Sequence, residues 1–483
     1  MLLLMGGVLP MPYKWWVLLT VSIGNLTVSL DNSVLAVCLP QLARAFHTDS
    51  SVIGWVSIAY FITSQSLMLT LARIGDVKGR KKVYITGLAF YTVGLALCAL
   101  SHNVGQLIFA RILQGIGAAT IFSLSMAIAV AVFPDEERGR ALGILSGVYS
   151  LGLLVGPVLG GFIIDLLDWR AVFYIRGPLP LASLLLAWVI IKEQKSTEKH
   201  FQLDMAGSIS LLGFLGSLLF LLSFIGKRGL TSLLLLVVIA MVCFVSFLIA
   251  EKRALQPIVD LSLFKQRLFT TATISASLQT ISASFMVFLL PFYLVEGLGS
   301  SGSIVGIYMA VQAAPMLAIS PVSGRLSDKI GSRFLTAFGM SVFCIGLFIL
   351  GRLGAHPTYI NIGIGVILIG IGFGIFTPPN NSVVMGSVPK DMLGTASALV
   401  TAARQIGISS GMAVSGALFS RYQSSYLTRF SQMGLDLSVA KKMASVNSFH
   451  DALLVGLAIG FIGILVCLVR GRANEQQTEM ATV

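Results

Sequence analysis

The chain has 483 residues, of which 56% are hydrophobic and only 11% charged, and its mean hydropathy is +0.89. Soluble domains carry roughly 25% charged residues, so the composition excludes an ordinary water-soluble protein and points to an all-α polytopic membrane protein. The net charge of +13 comes without a basic tract or an RNA-binding motif, so nucleic acid is not expected as a partner and the question becomes where the positive charge lies.

Fourteen apolar blocks, each about 20 residues and so able to cross a bilayer as a helix, run near 15–37, 51–72, 83–100, 105–132, 141–164, 171–191, 205–225, 231–250, 269–293, 303–323, 334–351, 359–379, 394–419 and 451–470. The first block continues as a span and no basic n-region precedes it, so a cleavable signal is not expected; Met11 is an alternative start to Met1. With the N-terminus in the cytoplasm, the inside connections hold most of the Lys and Arg. Arg73, Lys78, Arg80, Lys81 and Lys82 follow span 2, and Lys252, Arg253, Lys265 and Arg267 follow span 8. Both termini are therefore expected inside.

Span 1 contains Asp31, nine residues before Pro40, and span 4 contains Arg111. A charge deep in a span is costly, and each is a functional hypothesis. The two spans run in opposite vertical sense, and helical rise puts both residues at matching depth in the outer half. A carboxylate able to take a proton beside a permanent guanidinium makes a protonation switch; a static ion pair that fixes span packing is the alternative.

After span 2 the chain reads Ala72-Arg-Ile-Gly-Asp76-Val-Lys-Gly79-Arg80-Lys81, and after span 10 Gly324-Arg-Leu-Ser-Asp328-Lys-Ile-Gly331-Ser-Arg333. This repeated tight turn divides the chain into an N-terminal six-helix bundle (1–191) and a C-terminal one (269–470). Between them lies an inserted helix pair with its linkers (192–268), and a cytoplasmic tail follows (471–483). In span 5, Gly152, Gly156 and Gly160 stand four apart on one face, with Pro157 and Gly161 beside them, as a close-packing stripe or as something more specific. Asp165 and Asp168, near Arg170, read as solvated charges at the outer edge. Asn25, Gln65, Gln114, Gln312, Asn380 and Asn381 either line a cavity or bond across helices. Trp55, Tyr60, Phe285, Phe288 and Phe292 suit an adaptable apolar pocket. Arg404 is expected to snorkel or to find a carbonyl.

Other chemistries find no support in these residues. The five cysteines are scattered through apolar segments, the five histidines show no metal-ligand spacing, and there is no Walker A sequence or nucleophile elbow. Neither an enzyme, a metal nor a cofactor is expected.

Taken together, the motifs resemble those of the major facilitator superfamily, and within it the fourteen-span drug:proton antiporters. The Asp76–Gly79–Arg80 turn is similar to the loop signature between spans 2 and 3, with Ala72 and Ile74 where Gly and Leu are usual. Arg111-x-x-Gln114-Gly115-x-Gly117 resembles the span-4 motif linked to proton coupling, and Gly152-x-x-x-Gly156-Pro157-x-x-Gly160-Gly161 the antiporter signature. Leu30-Asp31 with Pro40 resembles the span-1 motif, and Gly407-x-x-x-Gly411 the span-13 motif. The resemblance implies the major facilitator fold with two inserted helices and alternating access around a central cavity. It implies proton-driven export of lipophilic or cationic amphipathic compounds from the inner membrane by a monomer surrounded by lipid. Carried over residue by residue, it makes Asp31 the proton acceptor tuned by Arg111. Asp76, Gly79 and Arg80 become a conformational latch, with Asp328, Gly331 and Arg333 as its repeat. Asn25, Gln65, Gln114, Phe285, Phe288 and Gln312 are the expected cavity residues. Arg176 stands where many relatives carry Asn.

Overall fold

Without water to hydrogen-bond the backbone, each apolar block must satisfy its own donors and acceptors, and it does so as a helix. The computed structural model of the chain describes residues 12–134, 137–193, 205–223, 230–253, 261–354, 357–388 and 392–470. The alternative starts, residues 194–204 and 254–260 of the linkers around the inserted pair, and the 471–483 tail lie outside the described residues. The first helices are α1 (Tyr13–Ala45), the one-turn α2 (Ser50–Ile53), α3 (Trp55–Lys78), α4 (Arg80–Ala99), α5 (Val104–Val132), α6 (Arg138–Leu166), α7 (Trp169–Arg176) and α8 (Pro178–Ile190). After α9 (Met205–Ser223) and α10 (Leu230–Arg253) come α11 (Arg267–Phe292), α12 (Gly302–Ile330), α13 (Ser332–Leu350), α14 (Tyr359–Gly386), α15 (Leu393–Gln432) and α16 (Leu437–Val469).

Among the described residues, 11 helical stretches are long and apolar enough to cross a membrane, and α9 and α10 hold shorter apolar stretches at Leu212–Leu222 and Leu234–Ala250. Large side chains such as Phe109, Trp188, Val322, Phe334, Ile360 and Leu465 point outward, which suits lipid and not water. The expected sixth span is two helices: Pro178 has no backbone N–H to continue the ladder and begins α8 at its first turn. The stretch from 420 to 450, expected as a long connection, is instead mostly the extension of α15 and α16 beyond their apolar parts, turned at Gly434. Polar Ser, Arg and Tyr there suit a helix that leaves the bilayer and continues in water.

Helix α1 packs along α6, α5 and α8, and α5 also packs on α3 and α4. In the second set, α11 packs on α15 and α16, and α14 on α12 and α13. The two sets meet along α6 and α12, and more lightly between α3 and α15. α9 and α10 pack on each other, and α9 rests on both α3 and α15. The two repeated turns have the same backbone solution. Gly79 (φ +100°) joins α3 directly to α4, and Gly331 (φ +85°) joins α12 directly to α13. Glycine alone adopts such a φ without a steric penalty.

Candidate functional site

Asp31, at the middle of α1, is fully buried and is held by two arginines. Arg111 of α5 donates from Nη1 to Asp31 Oδ2 (2.5 Å) and to Gln114 Oε1 (2.7 Å), and from Nε to the Val56 carbonyl (3.1 Å). Arg176, the last residue of α7, donates from Nη1 to the other oxygen, Asp31 Oδ1 (2.5 Å), and from Nε to the Val172 carbonyl (2.7 Å). Its Nη2 is buried without a partner. The matching depth read from the sequence brings Asp31 and Arg111 together. The second guanidinium was not anticipated, and it leaves a buried cluster of two arginines and one carboxylate. The Arg111 guanidinium lies over the Tyr60 ring, 4.1 Å from its centroid, so Tyr60 forms one wall of the cluster.

The glycines of α6 serve two helices. A Cβ at Gly152 would collide with Ser29, one at Gly156 with Ser33, and one at Gly160 would lie 2.9 Å from Val34 Cγ1. All three neighbours are on α1, and Ser33 Oγ also donates to the Gly152 carbonyl (3.0 Å). This stripe therefore presses α6 onto the segment of α1 that carries Asp31. Pro157 and Gly161 face elsewhere. A Cβ at Gly161 would lie 2.7 Å from the Gly302 carbonyl carbon, and one at Gly306 would lie 2.9 Å from the Pro157 carbonyl carbon, so α6 and α12 meet backbone to backbone. Gly407 and Gly411 repeat the first arrangement in the second set. Added Cβ atoms there would sit 2.8 Å from the Ser277 carbonyl and 2.5 Å from the Ile281 carbonyl of α11.

Asp165 is exposed, yet it is more than a solvated charge. It accepts from the backbone N–H groups of Gly302 (2.7 Å) and Ser303 (2.7 Å) and from the Ser303 hydroxyl, thereby capping α12 from the end of α6. Arg44, at the same end of the molecule, donates to the Val295 carbonyl (3.1 Å) across the two sets. At the end where α1 begins, Lys14 bonds to Glu137 (2.5 Å), Arg80 to Asp76 (2.8 Å) and the Ala127 carbonyl (3.2 Å), and Arg267 to the Val469 carbonyl (2.8 Å). Asp76 and Arg80, expected as part of a latch, thus bond to each other, and Arg80 also bonds to α5. Arg333 is exposed, and the side chain of Asp328 lies outside the described residues.

A cavity of about 220 Å³ opens beside the buried cluster. Its walls come from α1 (Asn32), α3 (Tyr60, Phe61, Gln65), α5 (Phe122), α6 (Tyr149), α9 (Phe214), α10 (Phe247) and α15 (Gln405). Of the expected cavity residues, Gln65 lines it. Gln114 lies behind it as a partner of Arg111, and Asn25 is buried in α1. Phe285 packs on Gly456, Phe288 lies against Gly54 and Gly416, and the Gln312 backbone meets Gly370. The cavity's aromatic residues come mainly from α3, α5 and the inserted pair instead. Arg404, next to Gln405, donates to Asn381 Oδ1 (2.6 Å), a carbonyl partner as expected. Two groups in the second set lack any sequence signal beyond their charge. Glu296 accepts from Gln423 Nε2 (3.0 Å), and the buried Arg470 donates to Asn380 Oδ1 (2.6 Å) and Ser275 Oγ (2.9 Å).

Residues 21–412 match the family model of the Major Facilitator Superfamily. The riboflavin transporter RibZ of Clostridioides difficile is 30% identical over 467 residues, covering 96% of this chain and 99% of that protein. The multidrug resistance protein Stp of Mycobacterium tuberculosis is 28% identical over 413 residues, covering 85% and 76% respectively. In fold, the chain is similar to a bacterial homolog of the human lysosomal transporter Spinster, with a TM-score of 0.74 at 16% identity over 95% of this chain and 97% of that one. A D-xylose–proton symporter matches with a TM-score of 0.66 at 15% identity, covering 96% and 99%.

Proposed function

The chain belongs to the Major Facilitator Superfamily, and on that premise we propose that it is a proton-coupled antiporter that exports lipophilic amphipathic compounds from the cytoplasm. The observation that carries this reading is Asp31, a carboxylate sealed between two guanidiniums one residue from the cavity-lining Asn32. A proton on Asp31 removes the charge that holds α1 to α5 and α7, so protonation and helix movement are the same event. Tyr60 transmits it: one face of its ring carries Arg111, and its side chain lines the cavity. In this reading both termini are cytoplasmic, and the chain is a monomer of the fourteen-span subgroup in the inner membrane. The bundles 1–191 and 269–470 rock about the cavity while 192–268 supplies the inserted pair. The α6–α12 contact and the Asp165 cap close the outer side, and the Asp76–Gly79–Arg80 and Asp328–Gly331–Arg333 turns latch the inner side in the alternate state.

A second reading, a dedicated exporter of one compound, draws support from RibZ, whose length is matched almost completely; riboflavin is its first candidate. Expression in a cell lacking its own efflux pumps separates the two. A multidrug antiporter is expected to extrude ethidium and several unrelated dyes and to stop when an uncoupler is added. Export confined to riboflavin would favour the dedicated reading, and efflux that survives the uncoupler would remove proton coupling from both.

A further inference from the structure

The cavity joins apolar walls to a small set of neutral polar groups, and those groups lack partners. Among the described residues, Asn32 Oδ1, Tyr60 Oη, Gln65 Nε2 and Gln405 Oε1 are each buried without a hydrogen-bond partner, and all four side chains line the same cavity. They come from both helix sets: α1 and α3 on one side, α15 on the other. Four such groups around one space can each give a hydrogen bond to a guest with complementary groups, which sets what the cavity recognises. As placed, Gln65 offers N–H donors and Gln405 a carbonyl acceptor, and turning either amide exchanges these roles. Around them stand Phe61, Phe122, Phe214 and Phe247, whose faces suit a flat ring system.

The charges near the cavity say what the guest is not. Among its described lining residues, none is ionisable except through a tyrosine hydroxyl. Behind Tyr60 lie two arginines for one aspartate, and beside Gln405 lies Arg404, so the nearby fixed charge is positive in sum. A cation entering this space gives up its hydration and meets no carboxylate among the described lining residues. An anion finds no guanidinium among the described lining residues either: Arg111 and Arg176 bond to Asp31, Arg404 bonds to Asn381, and none of the three lines the cavity.

We infer that the cavity is a binding site for an uncharged, flat heteroaromatic compound bearing both hydrogen-bond donors and acceptors, selected by Gln65 and Gln405 from opposite helix sets. This rests on reading the cavity as the transport site, and it narrows the substrate class of that reading. The inserted pair takes part directly, since Phe214 of α9 and Phe247 of α10 supply part of the aromatic wall.

The test is binding to purified full-length protein in lipid nanodiscs with no ion gradient, followed by fluorescence. The probes are lumichrome, which is flat, neutral and has both N–H and C=O groups, and ethidium, which is flat and cationic. Lumichrome is expected to bind more tightly. Gln65→Ala and Gln405→Ala should each weaken it by about three- to tenfold, the loss of one neutral hydrogen bond. Gln405→Glu keeps the size of the side chain and adds a negative charge; it should reverse the order and favour ethidium. Tighter binding of ethidium, or of the aromatic anion naphthalene-2-sulfonate, to the wild type would overturn the inference. So would lumichrome affinity unchanged in all three variants, provided each is monodisperse. Because no gradient is present, failed proton coupling leaves this result untouched: lumichrome bound as expected but never driven uphill would reject the antiporter reading and keep the site.

Discussion

Asp31→Asn is expected to abolish uphill efflux, and it should also lower the amount of folded protein in the membrane. The second effect follows from Arg176. In the wild type one carboxylate answers two buried guanidiniums, and removing it leaves both charges uncompensated. Breaking a buried ion pair by deleting one partner costs about 3–5 kcal/mol, and here two pairs break at once. A loss of activity in this variant alone would therefore say little about coupling. The double variant Asp31→Asn/Arg176→Asn removes one of the stranded charges, and its membrane abundance and melting temperature should recover towards wild type. Uphill efflux should stay absent. Arg176→Asn alone keeps the Asp31–Arg111 pair and should keep coupled transport. Recovery of uphill efflux in the double variant would show that the cluster is a structural ion pair and that the proton is carried elsewhere.

The second large effect is expected at Gly161. A methyl group there falls on the backbone of Gly302 and lies 2.9 Å from Ser303 Cα, and backbone cannot rotate out of the way. Gly161→Ala should hold α6 and α12 apart while leaving each helix set intact. The expected result is normal membrane abundance, at least tenfold slower efflux, and increased labelling of a cysteine placed at Ser301 by a membrane-impermeant thiol reagent added outside. Gly152→Ala makes a useful contrast. Its new methyl meets a single side chain, Ser29, at the hydroxyl and at Cβ (2.9 Å), with Leu30 N at 3.2 Å, and one side chain yields more easily than a facing backbone. A milder loss is expected there. Equal effects at the two positions would mean that the α6–α12 contact has no special place in the cycle.

The helices and the Asp31–Arg111 pair were legible because bilayer thickness fixes length and helical rise fixes depth; two charges at one depth in an apolar interior have strong reason to meet. Arg176 lies inside the 171–191 block, so the depth argument reaches it as well, but depth does not say which face of α7 it occupies, and the packing of α7 beside α1 is what brings it to Asp31. The α6 motif was half legible. Spacing of four gave the face of Gly152, Gly156 and Gly160, but Pro157 and Gly161 lie one residue, about 100°, further round and serve another helix. The cavity residues were least legible. In a soluble helix the polar face and the apolar face tell inside from outside, whereas in a bilayer both faces are apolar. Phe285 and Phe288 therefore looked as suitable as Phe61 and Phe122, and only the packing of neighbours such as Gly456 and Gly416 distinguishes them. Asp165 was read as solvated because exposure is what a sequence suggests for an acid at a helix end. Its role comes from α12, a helix 137 residues away in the chain.

The most direct test of the central claim, that proton and substrate move through one coupled cycle, is proton flux in proteoliposomes. Wild-type protein would be reconstituted with a pH indicator in the lumen and an imposed proton gradient, and lumichrome and ethidium added in turn. A transported probe should accelerate collapse of the gradient in the wild type and leave it unchanged in Asp31→Asn/Arg176→Asn. A probe that crosses the membrane while the gradient decays at its resting rate, or a double variant that matches the wild type, would contradict it.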